Sequence, residues 1–148
     1  MSALILDATG HVSGCLPCQL EDADAPAVVY RDETWSCEVS AEYDVPGWYI
    51  LRLRRHVEGW AGLSPDDAVG FGVVSQRVAT AIERAIGVPT VYFMSFGENY
   101  PHFHFLVIAR PADLDPELRG AGILGLRARL RDPDAALAAA AEVRAAVA

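Results

Sequence analysis

Two histidines stand two residues apart in the stretch Tyr100-Pro101-His102-Phe103-His104-Phe105-Leu106. A neutral imidazole is available near pH 7. It can ligate a metal, or attack an electrophilic phosphorus if its second nitrogen is held by an acceptor. A cupin-type metal site needs a glutamate a few residues on, and Phe105-Leu106-Val107-Ile108-Ala109 contains none. The blander alternative is a hydrogen-bonded structural pair. Upstream, Cys15-Leu16-Pro17-Cys18 has C-x-x-C spacing, and His56 closes the basic run Arg54-Arg55-His56. Zinc takes about four cysteine and histidine ligands in a tetrahedron. Cys15, Cys18, His56 and one member of the His102/His104 pair would complete such a set. Two unrelated thiols in a turn, or a redox pair, are the alternatives. A redox pair normally opens a helix, and nothing after Cys18 predicts one. Cys37, mid-strand beside Trp35, reads as a small buried hydrophobe. His11 reads as a solvated bystander in a loosely structured N-terminal stretch.

The elements that must position these groups are short strands and one main helix. From His102 the chain reads as a strand, with a turn cluster before it and Arg110-Pro111 after it. Side chains alternate, so His102, His104 and Leu106 share one face, with the two imidazoles roughly 6–7 Å apart along the backbone. Phe103, Phe105 and Val107 face a core. Residues 27–30, 34–39 and 48–54 read as three earlier strands, and the third ends beside His56. Ser64 suits a helix N-cap, Pro65 the first helical position, and Asp67 a shortened capping box. Phe71, Val74, Val78, Ala81, Ile82 and Ala85 then recur at three- and four-residue steps, and Gly87 and Pro89 stop the helix. Residues 90–96 predict a strand in an antiparallel hairpin with the histidine strand. Residues 111–122 are loop-rich, 123–131 predict a short helix, and Asp132-Pro133 opens an alanine-rich helix to the end. The order β-β-β-α-β-β-α-α predicts an α+β fold: an antiparallel five-stranded sheet, one main helix and C-terminal helices.

At 148 residues and 52% apolar composition, one domain with a real core is expected. Its core would span about 15–110, with a C-terminal helical extension over 111–148. No apolar run approaches the ~18–20 residues of a membrane span. Residues 1–14 lack a basic segment and carry Asp7 and His11, so no secretory signal is expected, and the default location is cytoplasmic. A net charge of −8 disfavours a nucleic-acid surface, which needs a basic stripe. All twelve basic residues are arginine. Schiff-base catalysis and a P-loop lysine are thereby excluded. Three cysteines without an export signal point to a metal or a free thiol before a disulfide framework.

The run from Gly97 to Arg110 resembles the signature of the histidine-triad family, Gly-Gln-x-x-x-His-φ-His-φ-His-φ-φ-Pro-Arg. Laid on it without a gap, Gly97 matches the glycine, His102 the first histidine, His104 the second and Arg110 the final arginine. Val29 to Trp35 resembles the family's first hairpin, Pro46 to His56 its strand into a basic-histidine corner, and Leu63 to Asp67 the start of its long helix. The resemblance covers most of residues 15–110. It implies zinc held by Cys15, Cys18, His56 and His102, and His104 as the nucleophile that attacks the α-phosphorus of a nucleoside phosphate derivative. It also implies a homodimer through the main helix and an adjacent strand. Three positions depart from the signature: Ala109 stands at the proline without evident harm, and two departures matter, Leu106 at the third histidine and Glu98 at the glutamine. Each of these two would remove a few kcal/mol of transition-state stabilisation. Asn99 and the backbone amides of the Gly97 turn remain available to bind phosphate.

Three functional readings follow. One is a nucleotide hydrolase or transferase acting on adenylyl compounds, a diadenosine polyphosphate or a nucleoside phosphoramidate. A second is a nucleotide-binding or interaction protein with impaired catalysis, motivated by Leu106 and Glu98. A third is an enzyme of altered chemistry in the same pocket, with Glu98 as a base or cation contact.

Overall fold

In chain order the elements are α1 (Leu16–Gln19), β1 (Val28–Arg31), β2 (Trp35–Glu38), β3 (Trp48–Leu53), α2 (Pro65–Ile86), β4 (Thr90–Met94), β5 (His104–Arg110), α3 (Arg127–Leu130) and α4 (Pro133–Val147). The computed structural model describes residue 8 and residues 10–148, so most of the N-terminal segment read above as carrying no signal lies outside the described residues. The five strands form one antiparallel sheet in the order β1-β2-β3-β5-β4. The α+β fold of five strands, one main helix and C-terminal helices is therefore the observed one.

Strand alternation sorts the sheet into two faces. Tyr49, Leu51 and Leu53 of β3, Val107 and Ala109 of β5, and Trp35 and Cys37 of β2 are buried in the core beneath the helices. Cys37 is fully buried there, as a small hydrophobe. Each large apolar side chain so buried stabilises the fold by about 1.5–3 kcal/mol. The second face is graded. At one end Trp48 and Ile108 pack with Leu114 and Ile123. At the other end it turns polar, because Ser36 pairs with Arg52 and Arg52 with His104 across three strands.

Helix α2 starts where its local chemistry demands. Ser64 Oγ accepts from the Asp67 amide at 3.1 Å, and the Asp67 carboxylate accepts from the Ser64 amide at 2.8 Å. Val74, Val78, Ala81 and Ile82 are the buried apolar stripe, with Phe71 and Ala85 partly buried against it. Gly87 ends the helix at φ +77°, a left-handed conformation that a residue with a Cβ rarely adopts. The alanine-rich α4 is capped by the Asp132 carboxylate on the Ala135 amide. It buries Ala136, Ala140 and Val143 in its own chain's core, against α2 and β1.

Three local expectations are corrected. The histidine strand begins at His104, not at His102, because the chain there changes partners. Phe103 donates to the Val57 carbonyl while accepting from the Leu53 amide, which leaves His102 in a single bridge with Glu58. Residues 10–27 are not loose: α1 and two 3-10 turns, Leu20–Asp22 and Ala25–Ala27, occupy most of the stretch from Leu16. Turns this short have no apolar periodicity to reveal them. His11 is partly buried and engaged in an interaction, not solvated.

Candidate functional site

The ends of β3 and β5 meet because the two strands are antiparallel neighbours, and this brings His56 beside His102 with ring centroids 4.9 Å apart. The cysteine turn lies over both. Cys15 is the N-cap of α1, and Pro17, with its preset φ, starts the single helical turn that brings Cys18 back beside Cys15. The single helical turn of α1 contains Cys18 and ends at Gln19, and the geometry is not that of a redox pair. Cys15 Sγ lies 3.5 Å from His102 Nδ1, and Cys18 Sγ lies 3.3 Å from both His102 Nδ1 and His56 Nδ1. The four ligand atoms all fall within 4.8 Å of one another. Ligands on a tetrahedral zinc, with Zn–S near 2.3 Å and Zn–N near 2.0–2.1 Å, stand roughly 3.3–3.8 Å apart. Burial pushes the Cys15 thiol up to about 12, the opposite of the lowered value a redox C-x-x-C thiol uses.

The tautomer fits as well. His102 Nε2 lies 2.6 Å from the Leu53 carbonyl, which can only accept, so Nε2 carries the proton and Nδ1 presents its lone pair to the sulfurs. Burial lowers the His102 pKa to about 4 and keeps the ring neutral. His56 Nε2 stands 3.7 Å from the Glu58 carboxylate, within ion-pair range but beyond a hydrogen bond. The chain thus carries a Cys15/Cys18/His56/His102 group, buried except for the partly buried His56, whose donors and spacing fit a zinc ion.

His104 turns the other way. Its Nδ1 lies 2.6 Å from the His102 carbonyl, so Nδ1 donates and Nε2 keeps a lone pair. Burial lowers its pKa, against the opposing effect of that hydrogen bond, so the ring is held neutral. His104 lines a cavity of about 340 Å³ together with Leu106, Gly97, Glu98 and Asn99. Every pocket residue singled out from sequence therefore meets in one space. Gly97 takes φ +70°, which turns the chain out of β4 and along the rim. The remaining wall was not anticipated. Tyr43 enters from the loop before β3, and Leu124 and Arg127 come from the C-terminal segment. No local signal in residues 123–131 points to a pocket.

A second group missed from sequence lies beneath the metal centre. Arg52 and Glu38 are both fully buried and form a bidentate pair, Nε to Oε2 at 3.1 Å and Nη2 to Oε1 at 2.8 Å. Arg52 Nη2 also reaches Glu21 at 2.8 Å, and Arg54 pairs with the same carboxylate. Burial pushes the Glu21 pKa up, but these two arginines outweigh it and hold the carboxyl down to about 2. Arg31 bridges Glu38 to the Leu20 carbonyl. The cluster thus ties the turn after Cys18 to the sheet. Period-2 reading of Ile50-Leu51-Arg52-Leu53 carried the signal, since it places Arg52 on the face opposite the core.

No protein-family model matches the chain, and no curated protein matches it. Solved structures do. A Zn-bound histidine triad family protein from Mycobacterium smegmatis is similar at TM-score 0.66 and 20% identity, over 90% of this chain and 93% of that one. A hypothetical histidine triad nucleotide-binding protein from Sulfolobus tokodaii matches at TM-score 0.70 and 16% identity, over 90% and 91%. Plasmodium falciparum diadenosine triphosphate hydrolase matches at TM-score 0.60 and 12% identity, over 83% and 77%. The chain has the histidine-triad fold.

Proposed function

We propose that the protein is a nucleotide hydrolase or nucleotidyltransferase that acts on the α-phosphate of adenylyl compounds through a nucleotidyl intermediate on His104. The observation that carries this reading is the His104 Nδ1 hydrogen bond to the His102 carbonyl, 2.6 Å, which leaves Nε2 as the basic nitrogen of a residue lining the cavity. That the similar proteins include a hypothetical histidine triad nucleotide-binding protein and a diadenosine triphosphate hydrolase supports it.

In the first step Nε2 attacks the α-phosphorus. The P–N bond forms as the bond to the leaving group breaks. In the second, water adds to phosphorus, the P–N bond breaks, and a nucleoside monophosphate and free imidazole result. Asn99 and the amides of the Gly97 turn hold phosphate oxygens, and Glu98 contacts the substrate from the same rim. Leu106 has no proton to give a leaving group. A phosphate or polyphosphate leaves as an anion without one, whereas an amine needs protonation. Polyphosphate substrates are therefore favoured over phosphoramidates. The metal bound by Cys15, Cys18, His56 and His102 is a structural zinc, which cross-links the α1 turn to the ends of β3 and β5 and takes no part in phosphoryl transfer. The active form is a homodimer. Val69 and Val73 of α2, 69% and 52% exposed, and the edge strand β4 are the surface it would cover.

The test is release of AMP from a diadenosine polyphosphate and from an adenosine phosphoramidate, against a His104→Ala control, with mass spectrometry for an adduct on His104. Neither substrate turned over above the control, with no adduct, overturns the reading. Leu106 and Glu98 in the cavity favour a second reading, a binding protein with impaired catalysis. Tight nucleotide binding without turnover selects it.

A further inference from the structure

We propose that Arg127 is the anion-binding residue of the His104 cavity, gripping a ligand phosphate from the C-terminal segment. The inference rests on the reading that the ligand is a nucleoside phosphate. On the sheet side, the floor of the cavity is His104, Leu106, Ile50 and Met94, and none of them carries a permanent charge. A phosphate placed against Nε2 of His104 needs neutralising charge. Leu106 offers no donor, and Glu98 has the wrong sign. The chain has no lysine to substitute. Among the lining residues Arg127 is the one permanent cation.

Its environment leaves it available. The guanidinium carbon lies 5.2 Å from the centroid of the Tyr43 ring, a cation–π contact that holds the head in place without using its N–H donors. The neighbouring carboxylate, Asp44, is taken by Arg131, Nε to Oδ1 at 2.6 Å and Nη2 to Oδ2 at 3.2 Å. Among the described residues Arg127 forms no ion pair. A planar fork with free N–H groups is the shape that binds phosphate bidentately. The segment is not a loose tail: Ile123 is 1% exposed, and Leu124 and Leu126 pack beside it on the second face of the sheet. The ordering cost of presenting the guanidinium is met by that packing before a ligand arrives.

The test is calorimetric binding of adenosine, AMP and pyrophosphate to the full chain and to Arg127→Ala and Arg127→Lys. Arg127→Ala is expected to weaken AMP and pyrophosphate about tenfold or more while leaving adenosine within about twofold, and Arg127→Lys to recover part of the loss. A parallel loss for adenosine and AMP marks a structural role and overturns the inference. So does pyrophosphate binding that is unchanged by Arg127→Ala, or absent from the unaltered chain. Arg127-dependent pyrophosphate binding by a chain that binds neither adenosine nor AMP upholds the inference and overturns the nucleotide reading instead.

Discussion

At the scale of single residues, the site is decided by where two imidazole protons sit. His102 gives its Nε2 proton to the Leu53 carbonyl and turns Nδ1 to the cysteines. His104 gives its Nδ1 proton to the His102 carbonyl and keeps Nε2 for the cavity. Two identical side chains two residues apart thus take opposite tautomers and separate roles. Leu106, partly buried beside Met94 and Ile50, itself has no proton to give a leaving group. Leu106→His is accordingly expected to raise turnover of an adenosine phosphoramidate about tenfold or more, and to change hydrolysis of a diadenosine polyphosphate much less. Steady-state kinetics on the two substrates check it. An equal gain on both would show that the leaving group is not what Leu106 limits.

At the scale of elements, the long helix depends on its first turn. The capping box of Ser64 and Asp67 is reinforced by Arg55, whose guanidinium pairs with the Asp67 carboxylate. The Arg55 hydrogen bonds, opposed by burial and aided by the Ser64 amide, hold the Asp67 carboxyl down to about 2 from an ordinary 3.8. A carboxyl lowered on folding stabilises the native state above its unfolded value, and that contribution is lost as pH falls through the folded value. Asp67 therefore adds stability that is complete above about pH 5 and lost progressively from about pH 4 toward pH 2. Asp67→Asn should cost about 1 kcal/mol at pH 7 and flatten this part of the acid limb in denaturant titrations. If its stability falls with acid as steeply as the parent's, the assignment to Asp67 fails. The buried pair is a larger matter. Glu38→Gln removes the buried counter-charge of the fully buried Arg52, leaving it only the partly exposed Glu21, and should cost about 3 kcal/mol in chemical denaturation.

At the scale of the whole molecule, two layers lie on two faces of one sheet and do different work. Helices α2 and α4 cover the apolar face and supply the core. The segment from Leu114 to Arg127 covers the apolar end of the other face and leaves His104, Leu106, Ile50 and Met94 as the floor of the cavity. The metal centre joins α1 to the ends of β3 and β5, three places distant in sequence, so a bound ion acts as a cross-link of long loops. Protein purified without added metal should contain about one equivalent of zinc. Its removal by a chelator should lower the melting temperature by at least about 10 °C, with a similar fall for Cys15→Ser. Elemental analysis and thermal unfolding check both, and a chelator-treated protein that melts unchanged would count against a structural ion.

The sequence by itself determined whatever depends on neighbours along the chain. The capping box at Ser64, the α2 stripe from Val74 to Ile82, the stop at Gly87 and the β4–β5 hairpin all follow from contacts a few residues long. The candidate donors Cys15, Cys18, His56 and the His102/His104 pair were legible too, because chemistry restricts such residues to few uses, and the resemblance to the histidine-triad signature singled out His102. The tertiary structure alone decided what depends on distant pairing. Inserting β5 between β3 and β4 set Arg52 beside His104. The change of partner at Phe103 released His102 from the strand and turned it toward the cysteines. Folding the C-terminal segment across the second face carried Arg127 into the cavity, more than twenty residues beyond His104 in sequence. Periodicity reports which side of an element is apolar, not which distant segment will cover it. Only long-range packing chose the wall of the pocket.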